Sequence, residues 1–396
     1  MKQGRLTGAA LIAALLVQSL SSAAARQAGD PPAAPPPIVV TGAYQPQDKD
    51  ERGLWMQMDE EERKLKASNF VIRDAALNAY VNDVFCRTVG PRCKEVRIYV
   101  MRTPYFNANI APNGMMQLWS GLLLRTRDEA QLAAVLSHEY MHYQDRHSLQ
   151  LFRQLKVKAA SATFFAFFGL VGSLLALGQI SALMQFSRDQ EAAADAGSVE
   201  LLHKAGSDAT AASRIWEQFR EEADATAVAR KMKSRKDKNG GLFASHPPTA
   251  DRVAALKAQA QALPDGGAGR SDQERYRAAL GAFWASLIDD QIKLNDFGAT
   301  EFLIAHLASD GWTPALSYAR GELYRSRGAA ADLTAAVGYY RAACADAGAP
   351  IESWRGLGLS LLRTGDPEGG RAALKTYLDH RPDAPDRPMI AMLAGV

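Results

Sequence analysis

Net charge, histidine and cysteine are all scarce in this chain of 396 residues. Forty-six basic residues nearly balance 43 acidic ones, leaving a formal charge of +3. That balance leaves no electrostatic footprint for DNA or RNA, and no nucleic-acid partner is expected. Arg26 and not a cysteine follows the expected cleavage point at Ala23-Ala24-Ala25, so a lipid-anchored lipoprotein is not expected. The early apolar run, residues 6–20, is short for a membrane span, which needs about 20 residues. Only seven histidines are present, so two of them four residues apart carry weight.

The residues that are there divide the chain. Lys2 and Arg5, the apolar run and Ala23-Ala24-Ala25 read as a signal peptide over 1–25, predicting export. In a Gram-negative bacterium that means the periplasm. Residues 26–50 are rich in alanine and proline and read as a linker. A region from 51 to 262 follows, then the turn-rich stretch 262–274, then consecutive helical patterns over 275–396. Cys86 and Cys93 bracket a Gly90-Pro91 turn. A disulfide and two free thiols both remain open, because spacing does not set geometry. Cys344 lies in an apolar helix pattern and reads as a small core residue.

Within 51–262, residues 95–103 alternate like a strand, Pro112-Asn113-Gly114 marks a turn, and 115–119 read as a second strand. Residues 128–147 predict a helix, and 187–206 another. Thr249 is a candidate cap for a helix after Pro247-Pro248. The expected class is therefore α+β, mostly α, with a small sheet and an all-α C-terminal region.

His138-Glu139-Tyr140-Met141-His142 is an H-E-x-x-H motif. Positions i and i+4 share one face of a helix, so two imidazoles can converge on one ion while Glu139 serves as general base. A catalytic zinc needs a third protein ligand and an open position. Glu191 supplies it, and Asp195, one turn on, can accept a hydrogen bond from the outer nitrogen of His138. The metzincin pattern fails, because Asp145 and Ser148 stand where it needs Gly and His. His147 falls on another face of the extrapolated helix and is read as a surface residue. One zinc per chain, held by His138, His142 and Glu191, and an endopeptidase of the gluzincin type are expected.

SHEYMH (137–142), SRDQEAAADAG (187–197), SHPPTADR (245–252) and NANIAPNG followed by SGLL (120–123) together resemble the HtpX-like and CAAX-prenyl-protease group of zinc metallopeptidases. With an export signal and a helical tail, the chain is similar to the periplasmic beta-barrel assembly-enhancing protease family. The resemblance implies action on misfolded or stalled outer-membrane proteins. A latent protease acting as a chaperone and an inner-membrane HtpX-like protease are the alternatives. It also implies that His246 approaches the metal, either capping its open position or stabilising an oxyanion. Arg252 is implied to stabilise the oxyanion or to orient Glu191. The strand at 115–119 is implied to pair with extended peptide along an exposed sheet edge.

Residues 159–187 contain no charged side chain. They are read first as a hairpin that is buried or touches a membrane surface, and second as a true span. In the tail, Trp354, Leu357, Gly358, Leu361, Gly365 and Pro382 track a tetratricopeptide pattern, with an upstream unit around Gly321, Tyr324 and Gly328. Stacked helix pairs would offer a concave surface for unfolded clients or an outer-membrane assembly machinery.

Overall fold

In the computed structural model, the described residues are 44–157, 186–234, 246, 249–309 and 311–396. The expected signal peptide, most of the linker, most of the uncharged stretch 159–187 and the basic loop beyond residue 234 lie outside them.

Helix α1 (Lys49–Ala67) starts where Asp48 accepts a hydrogen bond from the Glu51 amide. Helix α2 (Ala75–Val89) is capped by Asp74 and runs into a 3-10 turn, Gly90–Glu95. Cys86 and Cys93 are joined by a disulfide across that junction. Three strands follow: β1 (Arg97–Met101), β2 (Ala108–Ile110) and β3 (Met115–Trp119).

The sheet order is β1-β3-β2, with β1 parallel and β2 antiparallel to β3. This corrects the expectation that residues 115–119 form an exposed edge, since β3 is central and every residue in it is buried. The edge on the β2 side is Ala108–Ile110, a strand too short to stand out in the sequence. Asn107 accepts from the Trp119 amide and Ala111 donates to Met115, so the ladder uses alternate residues. Ala108 and Ile110 therefore turn their backbone groups away from β3.

A buried polar network fixes this sheet. Glu62 of α1 accepts from Arg97 Nε and Nη2 at 2.7 and 2.6 Å and from Tyr99 Oη at 2.6 Å. Asn113, in the β2–β3 turn, donates to both Asp59 and Glu62. One carboxylate thus ties α1 to β1 and to the turn that sets β2.

A short helix, α3 (Ser120–Arg125), leads to α4 (Glu129–Gln144), whose first turn is capped by Asp128. Nearly all of α4 is buried, because it packs against α2, β2 and two later helices. It ends at Asp145, Arg146 takes a positive φ of 56°, and α5 (His147–Val157) begins a new direction. Helix α6 (Arg188–Lys204) opens with a capping box formed by Ser187 and Gln190. It lies close on α4, where a Cβ at Gly197 would collide with Met141. Helices α7 (Ala211–Ala229) and α8 (Ala250–Gln261) complete this layer, and Thr249 caps α8 as expected.

Beyond residue 262 lie α9 (Gln273–Leu280), α10 (Trp284–Ile292), α11 (Phe297–Leu307), α12 (Pro314–Arg327), α13 (Ala330–Cys344), α14 (Glu352–Thr364), α15 (Pro367–His380) and α16 (Arg387–Ala394). The fold is mostly helical with one small sheet. Among the described residues no helix is long and apolar enough to cross a membrane. The turn-rich stretch after 262 does not separate two cores. Tyr276 and Leu280 of α9 belong to the same hydrophobic cluster as α2, the sheet and α4. The Tyr276 hydroxyl donates to the Leu123 carbonyl at 2.6 Å, and Ser271 accepts from the first amides of α4. Further on, the buried Arg125 guanidinium joins Glu222 of α7 to Gln291 of α10.

Two outcomes follow from this packing. Leu280→Ala, which removes a fully buried side chain, is expected to lower the unfolding free energy by about 2–5 kcal/mol in urea denaturation. A normal midpoint would detach α9 from the core. Glu62 supplies a pH dependence. Burial alone would raise its pKa, but Arg97 and Tyr99 outweigh burial and hold the carboxyl below its ordinary value. A depressed folded pKa contributes stability that is fully present above the unfolded value of about 4.3 and is lost as pH falls through the folded value. Glu62→Gln should therefore show its full stability deficit at pH 7, and the deficit should shrink below about pH 4. A deficit independent of pH would contradict the assignment.

Candidate metal centre

His138 and His142 sit one turn apart on α4, as the H-E-x-x-H spacing requires. Glu191 reaches them from the first turn of α6, where the positive end of the helix dipole favours a carboxylate. His246 comes from the segment before α8. One nitrogen or oxygen from each of these four residues lies within 4.8 Å of all the others, and all four residues are buried. The two Nε2 atoms of His138 and His142 are 3.1 Å apart. Glu191 Oε1 is 3.4 Å from His142 Nε2, and Oε2 is 3.6 Å from His138 Nε2. His246 Nδ1 is 2.8 Å from Glu191 Oε1 and 3.3 Å from His138 Nε2. His246 thus enters the donor cluster itself.

Glu139 does not join the cluster of donors. Its Oε1 stands 3.6 Å from the outer nitrogen, Nε2, of His246. Asp195, one turn beyond Glu191, lies 3.0 Å from His138 Nδ1. The approach is close but oblique, since Nδ1 makes no well-aligned hydrogen bond. Arg252, in the first turn of α8, holds Asp195 with two bonds, Nε to Oδ2 at 2.8 Å and Nη2 to Oδ1 at 2.7 Å. Its Nη1 is 3.2 Å from Glu191 Oε2, and its guanidinium lies 4.1 Å from the Trp216 ring centre.

Electrostatics separate the carboxylates. Burial raises the pKa of Glu139, only partly offset by His246 and His138. Burial would raise Glu191 as well, but His246, His142 and Arg252 outweigh it and hold Glu191 well below the ordinary range. Asp195 is likewise held low, by Arg252 and His138 against burial. Burial holds His142 well below an ordinary histidine. His246 is raised, because Glu191 and Glu139 outweigh its burial. Burial and neighbouring charge thus move Glu139 and Glu191 in opposite directions from the ordinary carboxylate value.

The chemistry of this donor set fits a small divalent ion. Glu191 Oε2 is buried and makes no well-aligned hydrogen bond, although Arg252 Nη1 is near. Two imidazole Nε2 atoms and a carboxylate on one point match the ligand preferences of zinc.

His147 requires a correction. It was expected at the surface, yet it is buried, with its Nδ1 2.9 Å from His142 Nδ1. The helix was extrapolated through residue 147, whereas the positive φ at Arg146 breaks it and swings His147 back. Phe186, also not foreseen, stacks on His142 with ring centres 4.1 Å apart. No short-range pattern marks either residue.

Residues 71–260 match peptidase family M48. The mitochondrial metalloendopeptidase OMA1 of Schizosaccharomyces pombe is 32% identical over 150 residues, covering 35% of this chain and 43% of that protein. Protease HtpX of Idiomarina loihiensis is 29% identical over 196 residues, 42% of this chain and 67% of its own. The beta-barrel assembly-enhancing protease of Escherichia coli K12 is 27% identical over 192 residues, 43% of this chain and 38% of that protein. The chain thus spans less than half the length of OMA1 and of the E. coli protease.

Arg252→Leu should leave two buried carboxylates without their cation. We expect a loss of about 3–5 kcal/mol in the stability of the metal-free protein, read by chemical denaturation. A change under 1 kcal/mol would show that Arg252 does not balance them.

Proposed function

Since residues 71–260 form a peptidase family M48 domain, we propose that this protein is a zinc-dependent endopeptidase. The observation that carries the reading is the convergence of His138 Nε2, His142 Nε2 and Glu191 beside a Glu139 that stays out of the donor set. In this reading His138, His142 and Glu191 hold one zinc ion per chain. When bound, the ion supplies Lewis acidity toward a peptide carbonyl and acidifies water to a pKa of about 7. Glu139, its pKa raised by burial, accepts a proton and hands it to the leaving amine. Asp195 steadies the His138 ring, and Arg252 orients Glu191 and Asp195. An extended substrate would pair along the β2 edge, which is buried in this structure and would first have to be uncovered.

We further propose that the enzyme works in the bacterial periplasm on misfolded or stalled outer-membrane proteins. The support is the name of relatives such as the E. coli beta-barrel assembly-enhancing protease, and a disulfide at Cys86–Cys93, which suits an oxidising compartment. Helices α12 to α15 support a tetratricopeptide-like reading of the C-terminal region. Gly321 and Gly358, 37 residues apart, occupy equivalent places in two helix pairs. A Cβ at the first would meet Tyr340 at 2.7 Å, and at the second Leu374 at 2.6 Å. Such a surface would dock clients or assembly machinery, with residues 159–187 as a contact with a membrane surface.

One observation favours a second reading, a latent state. His246 Nδ1 occupies the donor cluster while its Nε2 faces Glu139, so this one side chain would compete with water for a bound ion while it stands against the base.

Glu139→Gln should retain about one zinc per chain and lower cleavage of unfolded casein by at least about 10²-fold. Wild-type turnover by this variant would sink the mechanism, and loss of zinc would make Glu139 a ligand.

A further inference from the structure

We infer that His147 is the positioning partner of His142, accepting the Nδ1 proton of His142 so that the Nε2 lone pair is held toward Glu191 and His138. The inference rests on the proposed metal centre and extends it to a residue outside the H-E-x-x-H motif.

Geometry defines the roles. A contact of 2.9 Å between two Nδ1 atoms needs one donor and one acceptor. His142 turns Nε2 to the donor cluster. To offer a lone pair there, it must carry its proton on Nδ1. His147 Nδ1 is then the acceptor, and its own proton lies on Nε2. The two rings meet nearly edge to face, at 71° with centres 4.9 Å apart, while Phe186 covers the flat face of His142. The ring is thus held at its edge by His147 and on its face by Phe186.

His138 has the comparable outer neighbour in Asp195. That neighbour is charged, whereas His147 is a neutral acceptor. The difference suits a site that already buries Glu139, Glu191 and Asp195 against one arginine. A further carboxylate on His142 would add repulsion without a cation to answer it.

The chain invests in this placement. Arg146 holds a left-handed φ of 56° that a side chain seldom adopts. Its guanidinium is tied to the buried Glu51 at 2.9 Å and lies over the Tyr44 ring. Glu51 in turn accepts from Tyr44 Oη at 2.9 Å and the Gln47 amide at 2.7 Å. The first turn of α1 and the segment before it therefore clamp the reversal that turns His147 inward.

The test measures zinc affinity of the full chain by competition with a chromophoric chelator, alongside the absorption spectrum of the cobalt-loaded protein. Melting of the metal-free forms checks folding. Wild type should bind one ion per chain. His147→Phe, which keeps the ring and loses the acceptor, should weaken zinc by about 10–100-fold and shift the cobalt bands. His147→Gln, whose amide oxygen can accept the same proton, should recover most of the affinity. A folded His147→Phe protein with wild-type affinity overturns the inference and leaves the metal centre standing, and so does a His147→Gln protein as weak as His147→Phe. A wild-type chain that takes up no zinc overturns both. Should His147→Phe not fold, Glu51→Gln loosens the clamp and spares every donor. It should weaken zinc several-fold, and unchanged affinity again overturns the inference.

Discussion

Glu191 and Asp195 stand one turn apart on one face of α6, both buried, and two such carboxylates stay ionised only if a cation shares their environment. Arg252 is that cation. It pairs with Asp195 through two hydrogen bonds, reaches Glu191 with its third nitrogen, and rests on the face of Trp216. Its position follows from Thr249, which starts α8 so that the first turn points at α6. Through Asp195 the same charge bears on His138, and through Glu191 on the donor cluster. The cap, the ion pair and the site are successive links of one chain of causes.

The same burial has opposite results a few ångströms apart. Glu191, within reach of Arg252 and His246, is held in its ionised form. Glu139 is also near them, but desolvation wins and its pKa rises. One fold thus moves two glutamates in opposite directions by placement relative to a guanidinium and an imidazole. The narrow α4–α6 approach at Gly197 is what brings the two helices close enough for the difference to arise.

Much of this was legible from residue types. The spacing of His138 and His142, the Glu191–Asp195 turn and the Thr249 cap are local patterns with local causes, and the structure brings these residues together. His246 and Arg252 entered through resemblance, since no periodicity links a loop histidine to a helix a hundred residues earlier. His147 was missed because a left-handed arginine has no signature. Glycine or asparagine at 146 would have announced the break, whereas Arg146 is held there by Glu51, 95 residues away. The sheet was misread for a related reason. A three-residue strand resembles a loop, and the order β1-β3-β2 depends on pairings that the order of strands in the chain does not dictate. The break after 262 looks like a linker by composition, but composition does not reveal which core Tyr276 and Leu280 will enter.

That shared core bears on the order in which the molecule matures. His138, His142 and Glu191 are synthesised well before α9, but the cluster that supports α4 lacks Tyr276 and Leu280 until those residues emerge. A nascent chain long enough to contain His138, His142 and Glu191 is therefore still short of part of the core that packs against α4. Chains emerge from the ribosome at about 5–20 residues per second, so this interval lasts seconds. Residues far apart in order of synthesis thus complete one core, and the part that packs against α4 arrives last.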